Sequence, residues 1–369
     1  MTGSVSLGVS FRVIVNQESL NMAESVGNVT RHRKAPIVVK IGDSYKLVYV
    51  PVVSGMSLAH HYQRHLAKAA HDMGLNVTRM SLLGYFMKFA DNKIIENYYS
   101  EIYNNEENIK DIFKKLGNKK IKNKVLEEHP EYLCKIEKRI VEDCVVADVG
   151  GFLYTEGPVK RTSRFNFSYL VPTHDAIETG SVSTVPQLHV RFTPEAKAKE
   201  QLPYYNDNSS ALYTATFLLE VDGISKLEVC QALSRNPGDN SESLPESLGK
   251  DEQAKRFEAS VKALIAMLGN LAFGAKRSRN LPHWEIRSAV VTGAVGIAPF
   301  VPSSGHQPSF IADTVARARI QKEQGVLKDY TIAAYKREDG VDTAGANTYR
   351  TLEEAIAAVA AWIRNAYFA

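Results

Sequence analysis

Cationic and imidazole side chains gather at several breaks between regular elements of this 369-residue sequence. The densest cluster, Lys276, Arg277 and Arg279, follows Gly274 in a short loop between a helical stretch and a strand-like run. Three further clusters have the same character: Arg31-His32-Arg33-Lys34, Lys160-Arg161-Thr162-Ser163-Arg164, and His189 with Arg191. Positive side chains in loops bind anions, and clusters that converge on one surface form a groove for a nucleic-acid backbone.

The overall charge does not by itself require such a partner. The chain has 45 Lys and Arg against 41 Asp and Glu, a net charge of +4, and 44% hydrophobic residues. These values are typical of a globular protein with a large core, so a nucleic-acid partner is inferred from the local clusters alone.

The cysteines and the first residues indicate the compartment. Cys134, Cys144 and Cys230 are too few and too scattered for a disulfide framework, and no C-x-x-C pair predicts a metal site. No export signal and no membrane-spanning apolar run is recognisable. The sequence therefore predicts a cytoplasmic protein without a membrane partner.

The opening segment alternates between apolar and small or polar residues from Val5 to Val15. This period predicts a strand with one buried face. Arg12 falls on the opposite face, where it could lie under a bound strand or reach solvent.

The remaining patterns give the order strand, helix, two or more strands, helix, strand. A hairpin (37–40 and 45–53) precedes a helix that begins at Ser54-Gly55, and a second helix begins at Asp251. The segments read as strands are 144–154, 165–169, 187–192, 213–221 and 284–292, the last being the final core strand, and a closing helix follows. This order predicts an α+β fold of the ferredoxin-like, RNA-recognition-motif-like split βαβ type.

Two insertions interrupt that plan. We expect a core domain from residues 1–75, 144–172 and 209–369, a helical insertion over 76–143, and an extended insertion over 173–208. In the first insertion, nearby acids offset the lysines of Lys119 to Lys124, so a solvated helical face is the favoured interpretation.

Other chemistry is less well supported. Gly269 and Gly274 have the separation of a P-loop, but Ala275 stands where that motif needs lysine. His61 and His65 have the spacing of helical zinc ligands, but a third ligand is missing and no metal is expected. His189 could meet a phosphate or a base, or it could belong to the polar face of a hairpin.

Several segments together resemble the archaeal type I-A CRISPR Cascade backbone subunits, the Cas-seven or DevR-type family. The resemblance runs from the first strand to about Val291. It is carried by Asn16-Gln17-Glu18-Ser19-Leu20-Asn21, Glu24-Ser25-Val26-Gly27-Asn28, Arg31-His32-Arg33-Lys34-Ala35-Pro36, Pro51-Val52-Val53-Ser54-Gly55, Ala147-Asp148-Val149-Gly150-Gly151-Phe152, Arg161-Thr162-Ser163-Arg164, Gln187-Leu188-His189-Val190-Arg191-Phe192 and Lys276-Arg277-Ser278-Arg279.

The resemblance implies a palm with an RNA-recognition-like fold, a helical finger and a β-hairpin thumb. Such subunits polymerise along CRISPR RNA, grip its backbone, and leave bases free to pair with target DNA. Together with the cationic clusters, it gives the expected RNA-binding residues: Arg12, Asn16, Asn21, Arg31, His32, Arg33, Lys34, Ser54, Gly55, Lys160, Arg161, Arg164, His189, Arg191, Lys276, Arg277 and Arg279.

The leading hypothesis is a non-enzymatic CRISPR RNA-binding subunit that contacts further copies of itself and other Cascade subunits, without cofactor or metal. Related subunits that cut target RNA use a loop aspartate, and none occurs between Asn16 and Lys40. Two alternatives stay open: a ribonuclease in which His189 acts as general acid or base, and a DNA-binding autoregulator.

Overall fold

A computed structural model describes residues 3–89, 131–154, 159–191, 202–234, 245–270, 273–278 and 280–369. The fold is mixed α+β, as expected, and is built on a large mixed sheet. Its main path has seven strands, which are, from one edge to the other, β14 (Asn347–Tyr349), β13 (Leu327–Lys336), β12 (His283–Gly296), β1 (Ser4–Glu18), β11 (Leu202–Glu220), β3 (Val29–His32) and β2 (Met22–Val26). Three further strands, β8 (Phe165–Phe167), β9 (Val171–Pro172) and β10 (Ser183–Arg191), also pair with β11. Among the described helices, none combines the length and hydropathy needed to span a bilayer.

Strand β1 (Ser4–Glu18) is the centre of this sheet. It lies antiparallel between β11 (Leu202–Glu220) and β12 (His283–Gly296). On the far side of β11, the short strands β8 (Phe165–Phe167) and β9 (Val171–Pro172) also pair antiparallel. Helix α1 (Gly55–Asp72) precedes these short strands in the chain, and helix α7 (Lys250–Gly269) connects β11 to β12, which is the predicted element order.

The first face of the sheet carries the main hydrophobic core. The alternating residues Val5 to Val15 point into it, as predicted, and are at most 2% exposed. Helices α1 and α7 pack here side by side, and the buried Tyr62 hydroxyl donates to the Ser260 carbonyl (3.2 Å). Helix α9 (Leu352–Ile363), the predicted closing helix, adds a third apolar stripe and continues into a π-helical turn, Arg364–Phe368.

The second face of β1 is also covered. The segment 297–309 crosses it, and the amides of Phe300 and Gly305 donate to Ser6 Oγ (3.0 Å) and Ser10 Oγ (3.2 Å). A Cβ atom on Gly8 would lie 2.5 Å from Pro302, so only glycine permits this approach. Helix α8 (Phe310–Glu323) and strands β13 (Leu327–Lys336) and β14 (Asn347–Tyr349) complete this side.

Strand β11 is longer than predicted and forms an arm. Its pairing with β1 ends where Glu18 meets Ser209, so residues 202–208 extend past the end of β1. They pair with β10 (Ser183–Arg191) on one side. Strand β3 (Val29–His32), itself paired with β2 (Met22–Val26), flanks the other side. We call β10 together with residues 202–208 of β11 the arm, and both segments fall within the predicted insertion 173–208.

The remaining elements are short. The predicted hairpin consists of β4 (Lys34–Ile41) and β5 (Ser44–Pro51), which form a separate sheet, as do β6 (Phe152–Tyr154) and β7 (Val159–Arg161). The other helices are α2 (Arg79–Leu82), α3 (Glu131–Asp143), α4 (Val145–Gly150), α5 (His174–Glu178) and α6 (Glu228–Ser234).

The structure corrects three sequence-based expectations. Residues 145–150 form a helix and not the predicted strand. Residues 145–149 are all buried, and in a short run that is buried on all sides the sequence period does not distinguish a strand from a helix. Strand β13 follows β12, so residues 284–292 are not the last core strand. Cys134 and Cys230, far apart in sequence, form a disulfide between α3 and α6, and Cys144 is free and buried. The segment Lys119 to Lys124 lies outside the described residues.

A buried ion network fastens helices α3 and α4 to the rest of the core. Asp148 on α4 is completely buried, and it accepts hydrogen bonds from Arg161, from Arg256 Nη1 (2.7 Å) and from the Ser225 amide (3.1 Å). Burial alone would raise the pKa of Asp148, but the two guanidinium groups outweigh it and lower the pKa. Glu137 lies 3.7 Å from Arg161 and accepts from the first amides of α6.

Replacing Asp148 by Asn should therefore destabilise the protein strongly. The variant leaves two buried arginines with a neutral partner, and breaking a buried pair costs about 3–5 kcal/mol. Urea unfolding followed by circular dichroism measures the change. The exposed Glu323→Gln on α8 is the matched control, with an expected change within about 0.5 kcal/mol; similar unfolding free energies for the two variants would contradict the assignment.

Candidate nucleic-acid interface

The first face of the arm presents an aromatic stack and two amides. Strand alternation places Tyr204, Asn206 and Asn208 on the same side of β11. His189 stands directly opposite Tyr204 on β10, and the two rings stack with centroids 5.3 Å apart and planes 26° apart. His189 is exposed, so an imidazole ring faces solvent on top of the stack.

The basic loop after α7 closes one side of this face. Gly274 has φ +88° and packs against Leu20, where a Cβ would lie 2.5 Å from a side-chain carbon, and the Ala275 amide donates to the Leu20 carbonyl (2.9 Å). Lys276 has φ +54°, in the left-handed region that residues with side chains seldom occupy. This backbone turn directs its ammonium group to the arm, where it donates to Asn206 Oδ1.

A hydroxyl network closes the other side. The single hydroxyl proton of Ser19, in the turn after β1, is shared between the Asp207 carbonyl (2.9 Å) and Asn208 Oδ1 (2.7 Å). The Asn280 side-chain amide donates to Ser19 Oγ (2.9 Å). The end of β1, the arm and the basic loop are thus joined through polar side chains.

These elements enclose a groove of about 350 Å³ on the first face of the arm, which we call the arm groove. Its lining residues are Ser19, His189, Tyr204, Asn206, Asn208, Lys276, Ser278 and Asn280. Burial lowers the pKa of Lys276, and no described carboxylate pairs with it. One unpaired ammonium, several amides and hydroxyls, and a stacked aromatic pair suit a phosphate beside an unpaired base.

A second groove, of about 740 Å³, lies on the opposite face of the arm. Tyr205 and Asp207, the alternate residues of β11, line it together with Arg31 and Lys34 from the basic tetrad. Both cations are exposed. Glu24 and Asp207 add negative charge to this groove, so cations are present on both faces of the arm, from the loop of Lys276 and from the tetrad, but only the second groove is of mixed charge.

Comparison with known proteins assigns the chain to a family. Residues 9–315 match the family model of the CRISPR-associated negative auto-regulator DevR/Csa2. The chain belongs to the DevR/Csa2 family. It is 34% identical over 353 residues to the CRISPR-associated aCascade subunit Cas7/Csa2 2 of Saccharolobus solfataricus, covering 94% of this chain and 97% of the relative.

Two further similarities agree with this assignment. The CRISPR-associated protein Cas7/Csa2 1 of the same organism is 32% identical over 313 residues, covering 83% of this chain and 84% of the relative. A chain of a solved CRISPR RNA-guided surveillance complex, pre-nicking, aligns with a TM-score of 0.52 over 97% of this chain and 99% of its own, at 10% identity. At that identity the structural match concerns the fold alone.

In this DevR/Csa2 family chain, several predicted RNA-binding residues hold the fold together. Arg12 is fully buried under the segment 297–309, which corrects the expectation that it faces a ligand or solvent. Its guanidinium donates to Glu338 Oε1 (2.8 Å), Asp175 Oδ2 (2.5 Å) and the Gly305 carbonyl (2.9 Å). All its nitrogen atoms are thus engaged within the protein, and none is exposed to a ligand.

The cluster Lys160 to Arg164 is also distant from the grooves. Arg161 is buried against Asp148, and Arg164, 4% exposed, pairs with Glu228 (2.9 Å). The Arg164 carbonyl accepts from the Glu220 amide at the end of β11, whereas the arm groove lies at the start of β11. Fourteen residues of strand separate Asn206 from Glu220, or roughly 45 Å. Lys160 is exposed, but at this remote end.

The start of helix α1 is covered as well. Ser54 is 6% exposed, and its amide donates to Asn21 Oδ1 (2.9 Å). Gly55 packs against the Phe167 carbonyl, where a Cβ would lie 2.7 Å from the oxygen. The Asn21 side chain thus links the loop after β1 to α1, and a phosphate cannot approach Ser54 or Gly55 from this side.

The other predicted residues differ in position. Asn16 is exposed at the end of β1, and Arg33 and Arg277 are half-buried, each with an Nε atom that has no hydrogen-bond partner among the described residues. The backbone of Arg191 pairs with Leu202 at the outer end of the arm. The Arg191 side chain and Arg279 lie outside the described part of the chain, so their roles stay predictions.

His32 is buried beneath the second groove, contrary to the expectation that it contacts RNA. Its Nδ1 lies 2.9 Å from the Arg33 carbonyl and its Nε2 lies 2.6 Å from Glu18. Both nitrogens therefore lie beside oxygen atoms that can accept a hydrogen bond, which favours the charged imidazolium. Burial alone would lower the pKa of His32, but the hydrogen bond and charge of Glu18 outweigh it and raise the pKa.

Sequence reasoning missed half of the arm groove. Tyr204, Asn206, Asn208 and Asn280 carry no charge and lie in none of the segments on which the family resemblance rests, whereas Ser19 lies in the segment Asn16 to Asn21. The detectable signal is the alternation of Tyr204, Asn206 and Asn208 along a strand, which places one aromatic ring and two amides on one face. Among the described residues, no group of three or more His, Cys, Asp or Glu side chains could hold a metal ion.

The raised pKa of His32 predicts a pH-dependent stability. The charged His32–Glu18 pair contributes fully below the unfolded histidine pKa of 6.5, and its contribution is lost as pH rises through the higher folded pKa. The melting-temperature difference between wild type and His32→Gln should be larger at about pH 5.5 than at about pH 9. His283→Gln, an exposed position, is the control. Equal differences at both pH values for His32→Gln would exclude this role.

Proposed function

We propose that this chain is a non-catalytic CRISPR RNA-binding backbone subunit of a type I Cascade complex. It polymerises along the guide RNA with further copies of itself, joins other Cascade subunits, and presents the guide for pairing with target DNA. The observation that carries the proposal is the arm groove, which combines Lys276, amide and hydroxyl groups, and the His189–Tyr204 stack at the base of an extended hairpin. The relatives named as an aCascade subunit and Cas7/Csa2 proteins support the same function.

The composition of the groove favours backbone binding without sequence reading. Ammonium and amide donors recognise phosphate and sugar oxygens, which every nucleotide shares, and an aromatic face accepts any base. A guide subunit needs both properties, because base pairing and not the protein supplies sequence specificity. In this proposal the chain is part of a ribonucleoprotein in the cytoplasm.

The fold supports a palm of the RNA-recognition type. The antiparallel order β12-β1-β11 with β8 and β9 beyond, linked by α1 and α7, corresponds to a split βαβ unit. In this proposal the core is the palm, the arm is the thumb that contacts a neighbouring subunit, and residues 76–143 form the finger. Most of that finger lies outside the described residues.

Removing the two described cations of the basic loop should weaken RNA binding and its salt dependence. For Lys276→Ala/Arg277→Ala, the log–log salt slope should fall by about 0.7 for each lost phosphate contact. Fluorescence anisotropy with a single-stranded repeat RNA at several salt concentrations measures the slope. Arg319→Ala on α8 is the control; a folded double variant with an unchanged slope would contradict the groove assignment.

Removing the stack should weaken binding in a different way. Tyr204→Ala loses an aromatic platform worth about 1–3 kcal/mol for one base, whereas no charge changes. The affinity for the same RNA should drop while the salt slope stays constant. Tyr204→Phe, which keeps the ring, should restore the affinity, and a Phe variant as weak as the Ala variant would exclude stacking.

One observation favours a second candidate. His189 is exposed and shares its groove with Lys276, an arrangement that could assist RNA cleavage by proton transfer. Incubating the protein with labelled repeat RNA, with and without a chelator, separates the two functions. We expect intact RNA in both reactions; cleavage that His189→Gln abolishes would establish the ribonuclease instead.

The family description as a negative auto-regulator favours a third candidate, a duplex-DNA-binding protein. Competition between single-stranded RNA and duplex DNA at fixed salt distinguishes it from the proposed function. We expect the RNA to win, because the arm groove combines cations with stacked rings suited to unpaired bases. A preference for the duplex would reverse this conclusion.

A further inference from the structure

One face of the hairpin β4–β5 is uncovered by any described residue. The register pairs Pro36 with Tyr49, Val38 with Leu47, and Lys40 with Tyr45, so these six side chains share a face. On it, Tyr45 is 77% exposed, Tyr49 68%, and Val38 and Leu47 58% each. The opposite face packs against Val171 and Ile177 of the core, which fixes the hairpin in place. Two tyrosines and two aliphatic side chains thus form a fixed, solvent-facing surface.

The charges around this face are almost all positive. Lys34, Lys40 and Lys46 belong to the hairpin, against the single acid Asp43 at its turn. Lys34 and Lys40 share the exposed face, with Lys40 directly opposite Tyr45, whereas Lys46 stands opposite the buried Val39 on the other face. Within the described chain, none of the three lysines forms an ion pair or a side-chain hydrogen bond. Their charges are therefore available to a ligand.

This composition fits a single-stranded nucleic acid, which combines phosphates with aromatic bases, better than it fits a protein partner. Lysine is depleted in the centres of protein–protein interfaces, whereas exposed aromatic rings among cations are the pattern of single-strand binding surfaces. Tyr45 and Tyr49 are four residues apart on one strand, roughly 13 Å, which leaves each ring free to take a separate base.

The hairpin is also continuous with the second groove of the arm. Lys34 begins β4, pairs with Pro51 of β5, and lines that groove together with Arg31. A strand that leaves the groove past Lys34 can therefore follow β4 to the exposed tyrosines without crossing an acidic surface.

We propose that the exposed face of β4–β5 is a separate binding surface for a single-stranded polynucleotide, distinct from the strand held by the arm groove. Tyr45 and Tyr49 stack on its bases, and Lys34 and Lys40, which share their face, contact its phosphates. The proposal goes beyond the guide-binding function, because the surface accepts a second strand while the groove is filled.

The test uses the full-length protein saturated with an unlabelled guide RNA, probed by anisotropy with labelled oligodeoxythymidylate and, separately, oligouridylate, neither complementary to the guide. Tyr45→Ala/Tyr49→Ala should weaken probe binding about 5- to 150-fold for each lost stack, with an unchanged salt slope. Lys40→Ala should lower the salt slope by about 0.7, whereas Lys46→Ala, on the other face opposite Val39, should leave it unchanged. Tyr85→Ala, an equally exposed tyrosine outside the hairpin, is the matched control.

Guide retention is measured in parallel, so that failure of the guide-binding function is seen separately. The proposal expects Tyr45→Ala/Tyr49→Ala and Lys40→Ala to retain guide RNA and lose the probe. In the wild type, the probe that binds more tightly shows whether DNA or RNA is preferred. Probe binding by the double tyrosine variant and by Lys40→Ala that equals wild type overturns the proposal. Unchanged probe binding together with a smaller sedimentation coefficient would instead identify the face as a contact between copies of the chain.

Discussion

Burial of strand β1 on both faces is the constraint on which the rest of the structure depends. Its apolar side faces α1 and α7, and its polar side lies under the segment 297–309, held by Ser6, Ser10 and the buried Arg12. A guanidinium taken out of water must be neutralised locally, and Asp175 and Glu338 do so from two different parts of the chain. Arg12 thereby fixes where the base of the arm and the loop after β13 lie relative to the sheet.

This burial explains why the candidate site is at the end of the sheet. In RNA-recognition folds, aromatic side chains on the open sheet face stack on bases. Here that face is covered by the chain itself, so a ligand meets only the strand ends and the segments that extend past them. Residues 202–208 of β11 extend past the end of β1. These residues, the turn at Ser19 and the loop of Lys276 therefore come together at this end of the sheet.

Periodicity was sufficient to predict the elements whose apolar residues repeat on one face. This pattern identified the hairpin β4–β5, the stripes of α1, α7 and α9, and also β1, whose alternate residues are small or polar although folding buries them too. It was insufficient for Val145–Gly150, where apolar residues and Asp148 alike are buried, and for Cys134 and Cys230, whose pairing depends on tertiary contact between α3 and α6. The amides of the arm groove were missed because Asn206 and Asn280 gain their role only from the neighbours that folding brings to them.

The cationic clusters divide by a criterion that sequence alone does not show, namely whether folding provides a carboxylate. Arg12, Arg161, Arg164 and His32 each meet one, and each is buried in the scaffold. Lys276, Arg31 and Lys34 meet none among the described residues, and all three line the grooves of the arm. The net charge of +4 therefore says little about the binding surface. Unpaired cations from two distant parts of the chain, the basic loop and the tetrad, meet at the arm, and such local clustering attracts a polyanion to an almost neutral protein.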